Sequence, residues 1–114
     1  MAKLTKRERQ EIKEFTELVK KECGKKIRVI KLFGSAARNK INKDSDLDIF
    51  FVVKGEWLKI FHKIISISTD ICLKYGRYIS PKVYEEKRYK YLKQIYSPFI
   101  QNVEKEGKII WKNY

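Results

Sequence analysis

Two short motifs in this chain carry residue types that can do chemistry. Gly34-Ser35 closes an apolar run, and ten residues later comes Asp46-Leu47-Asp48. Side chains alternate along a strand, so Asp46 and Asp48 share one face and Leu47 and Ile49 the other. Paired carboxylates suit a hard cation such as Mg²⁺, which prefers carboxylate oxygens and keeps waters and substrate phosphates in its shell. Two such ions, about 3.5–4 Å apart, can stabilise the entering and leaving oxygens of a phosphoryl transfer together. Gly34 lets the backbone approach a phosphate, and the Ser35 hydroxyl and the amides after it can donate to phosphate oxygens. The planar fork of Arg38 can clamp the same triphosphate. Each motif alone is common, as a turn or as strand polarity; their conjunction at this spacing carries the reading.

The elements that must position these residues can be read on either side. Apolar Ile12, Phe15, Leu18, Val19 and Cys23 recur at helical spacing between Thr5 and Glu22, with Gly24 placed to end the helix. Ile27 to Phe33 is a β-branched run and predicts a strand that delivers Gly34-Ser35 at its end. Residues 36 to 45 are polar and predict a loop with a helical start at Ala36-Ala37-Arg38. From Asp46 a second strand runs through Val53. Trp57 to about Leu73 has helical spacing, ended by Tyr75-Gly76. Arg77 to Val83 predicts a third strand, which Pro81 confines to an edge or an end. Tyr84 to Gln94 reads as a charged helix, Ser97-Pro98 opens a helical stretch to Glu106, and Lys108 to Trp111 predicts a last short strand. The expected architecture is α/β, a small mixed β-sheet of three to five strands flanked by helices. One domain over residues 1 to 114 is the size that so short a chain supports.

In Gly34-Ser35, the ten-residue gap and Asp46-x-Asp48, with Ala36-Ala37-Arg38 and Ser45 around them, the chain resembles the minimal nucleotidyltransferases of the polymerase-beta-like superfamily. Tyr78-Ile79-Ser80-Pro81 and the stretch from Ser97-Pro98-Phe99 to Glu106-Gly107 are similar to small prokaryotic members. The resemblance implies transfer of a nucleoside monophosphate, AMP from ATP first among nucleoside triphosphates, to an acceptor hydroxyl. Asp46 and Asp48 would serve as catalytic metal ligands, with Mg²⁺ as cofactor, and Gly34, Ser35 and Arg38 would hold the nucleotide. It also implies a partner: many small relatives are antitoxins beside a HEPN-type toxin, so a toxin hydroxyl is the leading acceptor. The short chain leaves the base uncovered, and a partner chain or a homodimer mate is expected to complete the contacts.

A third acid, usual on a neighbouring strand in the superfamily, is missing from Tyr75 to Ser80. Asp70 is the nearest stand-in as a metal ligand, although helical spacing places it on the long helix, and Asp44 is better read as closing the loop turn. This gap sustains an alternative reading: an antitoxin-like module that masks its partner with weak or no catalysis. A second alternative, a small nucleic-acid-binding protein, comes from charge, since 27 Lys and Arg face 14 Asp and Glu for a net +13. His62 has no Cys or His partner at ligand spacing. Cys23 and Cys72 lie far apart without a C-x-x-C and read as small buried residues, and no apolar stretch suggests a signal peptide or membrane span. The expected location is cytoplasmic.

Overall fold

The computed structural model describes residues 4–34, 37 and 46–113. Among the described residues four α-helices, α1 (Lys6–Cys23), α2 (Trp57–Tyr75), α3 (Glu86–Gln94) and α4 (Pro98–Glu106), accompany four strands. The strands are β1 (Ile27–Phe33), β2 (Leu47–Val53), β3 (Ile79–Glu85) and β4 (Lys108–Lys112). They form one sheet in the order β3-β2-β1-β4. β1 runs antiparallel to both β2 and β4, while β2 and β3 are parallel. A parallel neighbour requires a crossover, and α2 supplies it.

Both faces of the sheet are covered, which is why β1 and β2 read as nearly continuous apolar runs. On one face Ile30, Leu32, Ile49 and Phe51 pack with Phe15 and Val19 of α1 and Ile60 and Ile64 of α2. Phe15 meets Phe51 edge to face, with ring centroids 5.9 Å apart. Truncating either ring to alanine removes a buried aromatic, a change that costs about 3–5 kcal/mol in protein cores. The other face carries a smaller cluster, Val29, Phe50 and Val52 under Ile100 and Val103 of α4, with Tyr89 and Leu92 of α3 against it.

The helix ends are fixed by specific bonds. Thr5 and Glu8 form a reciprocal capping box, with Glu8 N–H donating to Thr5 Oγ1 at 3.0 Å and Thr5 N–H to Glu8 Oε1 at 2.7 Å. The second Glu8 oxygen takes Arg77 Nη1 at 2.8 Å, which ties the start of α1 to the segment entering β3. Gly76, at φ 74°, ends α2 by donating its N–H to the Cys72 carbonyl at 2.7 Å.

Three expectations change in the structure. Tyr84 belongs to β3 rather than to a helix, because its ring packs on Phe50, centroids 5.4 Å apart, and on Phe99, 5.8 Å apart. The third strand therefore begins at Ile79 and continues to Glu85, whose side chain accepts the Lys87 N–H at 2.7 Å and starts α3. Cys72 is half-buried, whereas Cys23 is buried, and burial pushes the Cys23 thiol pKa up.

Candidate nucleotide and metal site

The register of β1 against β2 sets Phe33 opposite Asp48, so Gly34 begins just where the Asp48 side chain stands. Gly34 has φ 71°, a conformation that a residue with a Cβ adopts at a cost. A Cβ built there would lie 2.5 Å from Asp48 Oδ2 and 3.3 Å from its Cγ. Glycine is thus required twice, once by the turn and once by the carboxylate beside it. Its duty expected from the motif, close approach to a phosphate, is a different one.

Asp48 is half-buried and shares its face of β2 with Phe50 and Val52, the face that α3 and α4 cover. Asp46, two residues earlier, is exposed. The neighbouring backbone is pinned, since Leu47 N–H donates to the Tyr78 carbonyl at 2.9 Å. Across the parallel pair Ser80 sits opposite Asp48 and Lys82 opposite Phe50, and the first acid on β3, Glu85, is paired with Val53 at the far end. The strand expected to lack an acid near Asp48 does lack one.

Asp70 is not brought to this place. It is exposed on α2, which packs on the opposite face of the sheet from Asp48. His62 is exposed on the same helix, its ring edge toward Phe61. Ser35, Arg38 and Asp44 lie outside the described residues. Among the described residues no three His, Cys, Asp or Glu side chains gather closely enough to hold a metal ion.

An acid that sequence reasoning passed over comes near from another direction. Glu106, at the end of α4, lines a cavity of about 190 Å³ together with Phe33, Gly34, Phe99, Asn102 and Val103. The signal was present in the spacing: Phe99, Asn102, Val103 and Glu106 fall at i, i+3, i+4 and i+7, one helix face that mixes apolar and polar groups. Nothing local says that this face meets Gly34; only the packing of α4 on the sheet does.

The donor set fits a magnesium ion with a nucleotide. Mg²⁺ is commonly held by one or two carboxylates, with water and substrate phosphates filling the remaining positions. Asp46 and Asp48 provide two, and the turn at Gly34 follows directly on the strand beside them.

Comparison with known proteins bears on the family and the fold. The family model described as "Polymerase beta, Nucleotidyltransferase" matches residues 10–114. Two proteins of Methanocaldococcus jannaschii are similar over most of their length. "Putative protein adenylyltransferase MJ0604" is 35% identical over 91% of this chain and 98% of its own. "Putative protein adenylyltransferase MJ0141" is 37% identical over 84% of this chain and 91% of its own. A crystal structure described as a toxin-antitoxin with AMP-PNP superposes with a TM-score of 0.62 at 17% identity, covering 88% of this chain and 73% of that one. That likeness is one of fold.

Proposed function

We propose, for a chain that belongs to the polymerase-beta nucleotidyltransferase family, that it transfers AMP from ATP to a hydroxyl of a partner protein. The observation that supports the reading is the close approach of the Asp48 carboxylate to the Gly34 turn, which would set a metal ligand beside a phosphate-binding backbone. In the proposed reaction the acceptor oxygen attacks the α-phosphorus, the new O–P bond forms as the bond to the β-phosphate oxygen breaks, and pyrophosphate leaves. Asp46 and Asp48 would hold Mg²⁺, which would supply neutralisation of charge on the phosphates. The Gly34 turn with Ser35 positions the terminal phosphates, and Arg38 adds a fork to them. Asp70 has no part in it. The acceptor proton passes to solvent or to a carboxylate of the site.

A protein acceptor is supported by the surface as well as by the names of the relatives. Tyr78, 64% exposed, immediately precedes β3 and its carbonyl is bonded to Leu47 beside Asp46. Tyr91, Ile95 and Tyr96 are exposed at the end of α3, and Tyr96 has φ 56°, an uncommon conformation for a residue with a side chain. A toxin of the kind found with the structural neighbour is the partner we infer. A second reading, a module that masks this partner without modifying it, is favoured by the want of a third acid beside Asp46 and Asp48 among the described residues. No described helix is long and apolar enough to cross a membrane.

Calorimetric titration of ATP with Mg²⁺ into the wild type and into Asp46→Asn/Asp48→Asn tests the proposal. Magnesium-dependent binding that the double variant loses is the expected result, followed by labelling of the partner from α-labelled ATP. Binding without labelling selects the masking module, and absence of binding rejects the transferase.

A further inference from the structure

The chain carries a hydroxyl of its own beside the two carboxylates. Leu47 pairs with Ile79 in the parallel ladder and Asp48 with Ser80, and Leu47 N–H donates to the Tyr78 carbonyl at 2.9 Å. Tyr78 therefore stands across from Asp46 as Ser80 stands across from Asp48. Neighbouring strands lie about 4.8 Å apart, less than the length of a phenol side chain.

The face that the Tyr78 ring takes follows from the residues on either side of it. Ile79 is buried in the cluster under α1 and α2, and Arg77 reaches Glu8 of α1, with Nη1 2.8 Å from Oε2. Side chains alternate along an extended chain, so Tyr78 turns to the opposite face, the one that carries Asp46, Asp48 and Ser80. The residue is 64% exposed, and among the described residues its hydroxyl has no hydrogen-bond partner and its ring stacks on no other. The other described tyrosines are placed differently. Tyr75 lies under the Arg7 guanidinium, 5.0 Å from its ring centre, and Tyr84 and Tyr89 pack against Phe50. Tyr91 and Tyr96 are exposed but belong to α3 and the turn after it, not to the strand beside Asp46.

We propose that Tyr78 is an acceptor for AMP delivered by the site of its own chain, an inference that rests on the transferase reading. Tyr78 Oη attacks the α-phosphorus of bound ATP. The Oη–P bond forms as the bond from that phosphorus to the bridging oxygen of the β-phosphate breaks; pyrophosphate leaves with the electron pair, and the phenolic proton passes to water. A phenol gives up its proton more readily than the aliphatic hydroxyl of Ser80, which is half-buried opposite Asp48. The product is a phosphodiester beside Asp46, where the next ATP would have to sit, so transfer stops at a single AMP and closes the site. A partner hydroxyl competes with Tyr78 for the same AMP.

Incubation of purified wild type with α-labelled ATP and Mg²⁺, in the absence of any partner, tests the proposal. The expected result is a single adenylyl group per chain, located on Tyr78 by tandem mass spectrometry, with an initial rate per molecule that does not change on dilution. Tyr78→Phe should lower labelling at least tenfold with an unchanged melting temperature, and Asp46→Asn/Asp48→Asn should take up no label. In a mixture of these two variants one keeps the tyrosine and the other the carboxylates, and neither should be labelled. Wild type that binds ATP with Mg²⁺ but takes up no label overturns the proposal and leaves the transferase reading standing, whereas wild type that binds no ATP overturns both. Label on Ser80, Tyr91 or Tyr96 in place of Tyr78, undiminished labelling of Tyr78→Phe, or label passed between copies in the mixture also overturns it.

Discussion

Gly34→Ala perturbs the site by a single methyl group, and its consequences can be worked from two features of the structure. Alanine at φ 71° costs about 1–2 kcal/mol for the left-handed conformation. Its Cβ would also stand 2.5 Å from Asp48 Oδ2, so the carboxylate must turn away from its position, adding about 0.5–1.5 kcal/mol for an off-rotamer side chain. The sum is about 2–3 kcal/mol, and at roughly 4 °C per kcal/mol for a domain of this size the melting temperature falls on the order of 10 °C. Gly76→Ala is the internal control, because Gly76 has φ 74° and nothing within 4 Å of its added Cβ. It should show the conformational cost alone and leave ATP binding intact, whereas Gly34→Ala should weaken magnesium-dependent ATP binding more than tenfold. In an Asp48→Ala background the extra cost of Gly34→Ala should vanish, and differential scanning of the four proteins of that cycle measures it. Equal costs at positions 34 and 76, with no coupling to Asp48, would refute the contact on which the proposed site rests.

Other perturbations test other parts of the molecule. Burial pushes the Glu11 carboxyl up to about 7, against attraction from Arg77 and Arg7. Its folded-state pKa is raised, so the stabilisation present below about pH 4.5 is lost as pH rises toward 7, by up to about 3 kcal/mol. Urea unfolding of Glu11→Gln beside wild type should therefore show the variant gaining relative stability between pH 5 and pH 8, and a pH-independent difference would sink the assignment. Trp57→Phe removes the 2.7 Å bond from Trp57 Nε1 to the Val83 carbonyl on the edge strand, and should lower unfolding free energy by about 1 kcal/mol. Asp70→Asn should leave magnesium-dependent ATP binding within twofold of wild type by calorimetry, where Asp48→Asn abolishes it; a large effect at Asp70 would mean that α2 contributes to the site after all.

How much of this was legible in the sequence depends on where each signal resides. The two central strands, the long helix and the edge placement of Pro81 follow from patterns confined to each segment, and they appear in the structure. Tyr84 did not follow, because its fate is decided by Phe50 and Phe99, which come from β2 and α4. Asp46 and Asp48 were visible as a spaced pair, but the register that places Asp48 against Gly34 is a property of two strands together. Glu106 reaches the Gly34 cavity only through the packing of α4; the spacing of Phe99, Asn102, Val103 and Glu106 shows one mixed helix face but not what that face meets. The capping box of Thr5 and Glu8, by contrast, was available as a Thr-x-x-Glu signature and was simply overshadowed by the apolar periodicity behind it.

The opposite placement of acids and cations along β1 and β2 has a physical consequence for how the two ends can work. Magnesium with ATP approaches the Asp46 and Asp48 end, while Lys25, Lys26, Arg28 and Lys54 stand at the other end of the same two strands. A separation of roughly 20 Å exceeds the screening length of about 8 Å at physiological ionic strength. The cations therefore neither hold the triphosphate nor depress metal binding at the carboxylates by much. Unpaired cations clustered around Asp48 would repel the metal that the transferase reading needs; Lys25, Lys26 and Lys54 instead stand at the other end of β1 and β2, and Lys31, two residues from Phe33, is paired with Glu104.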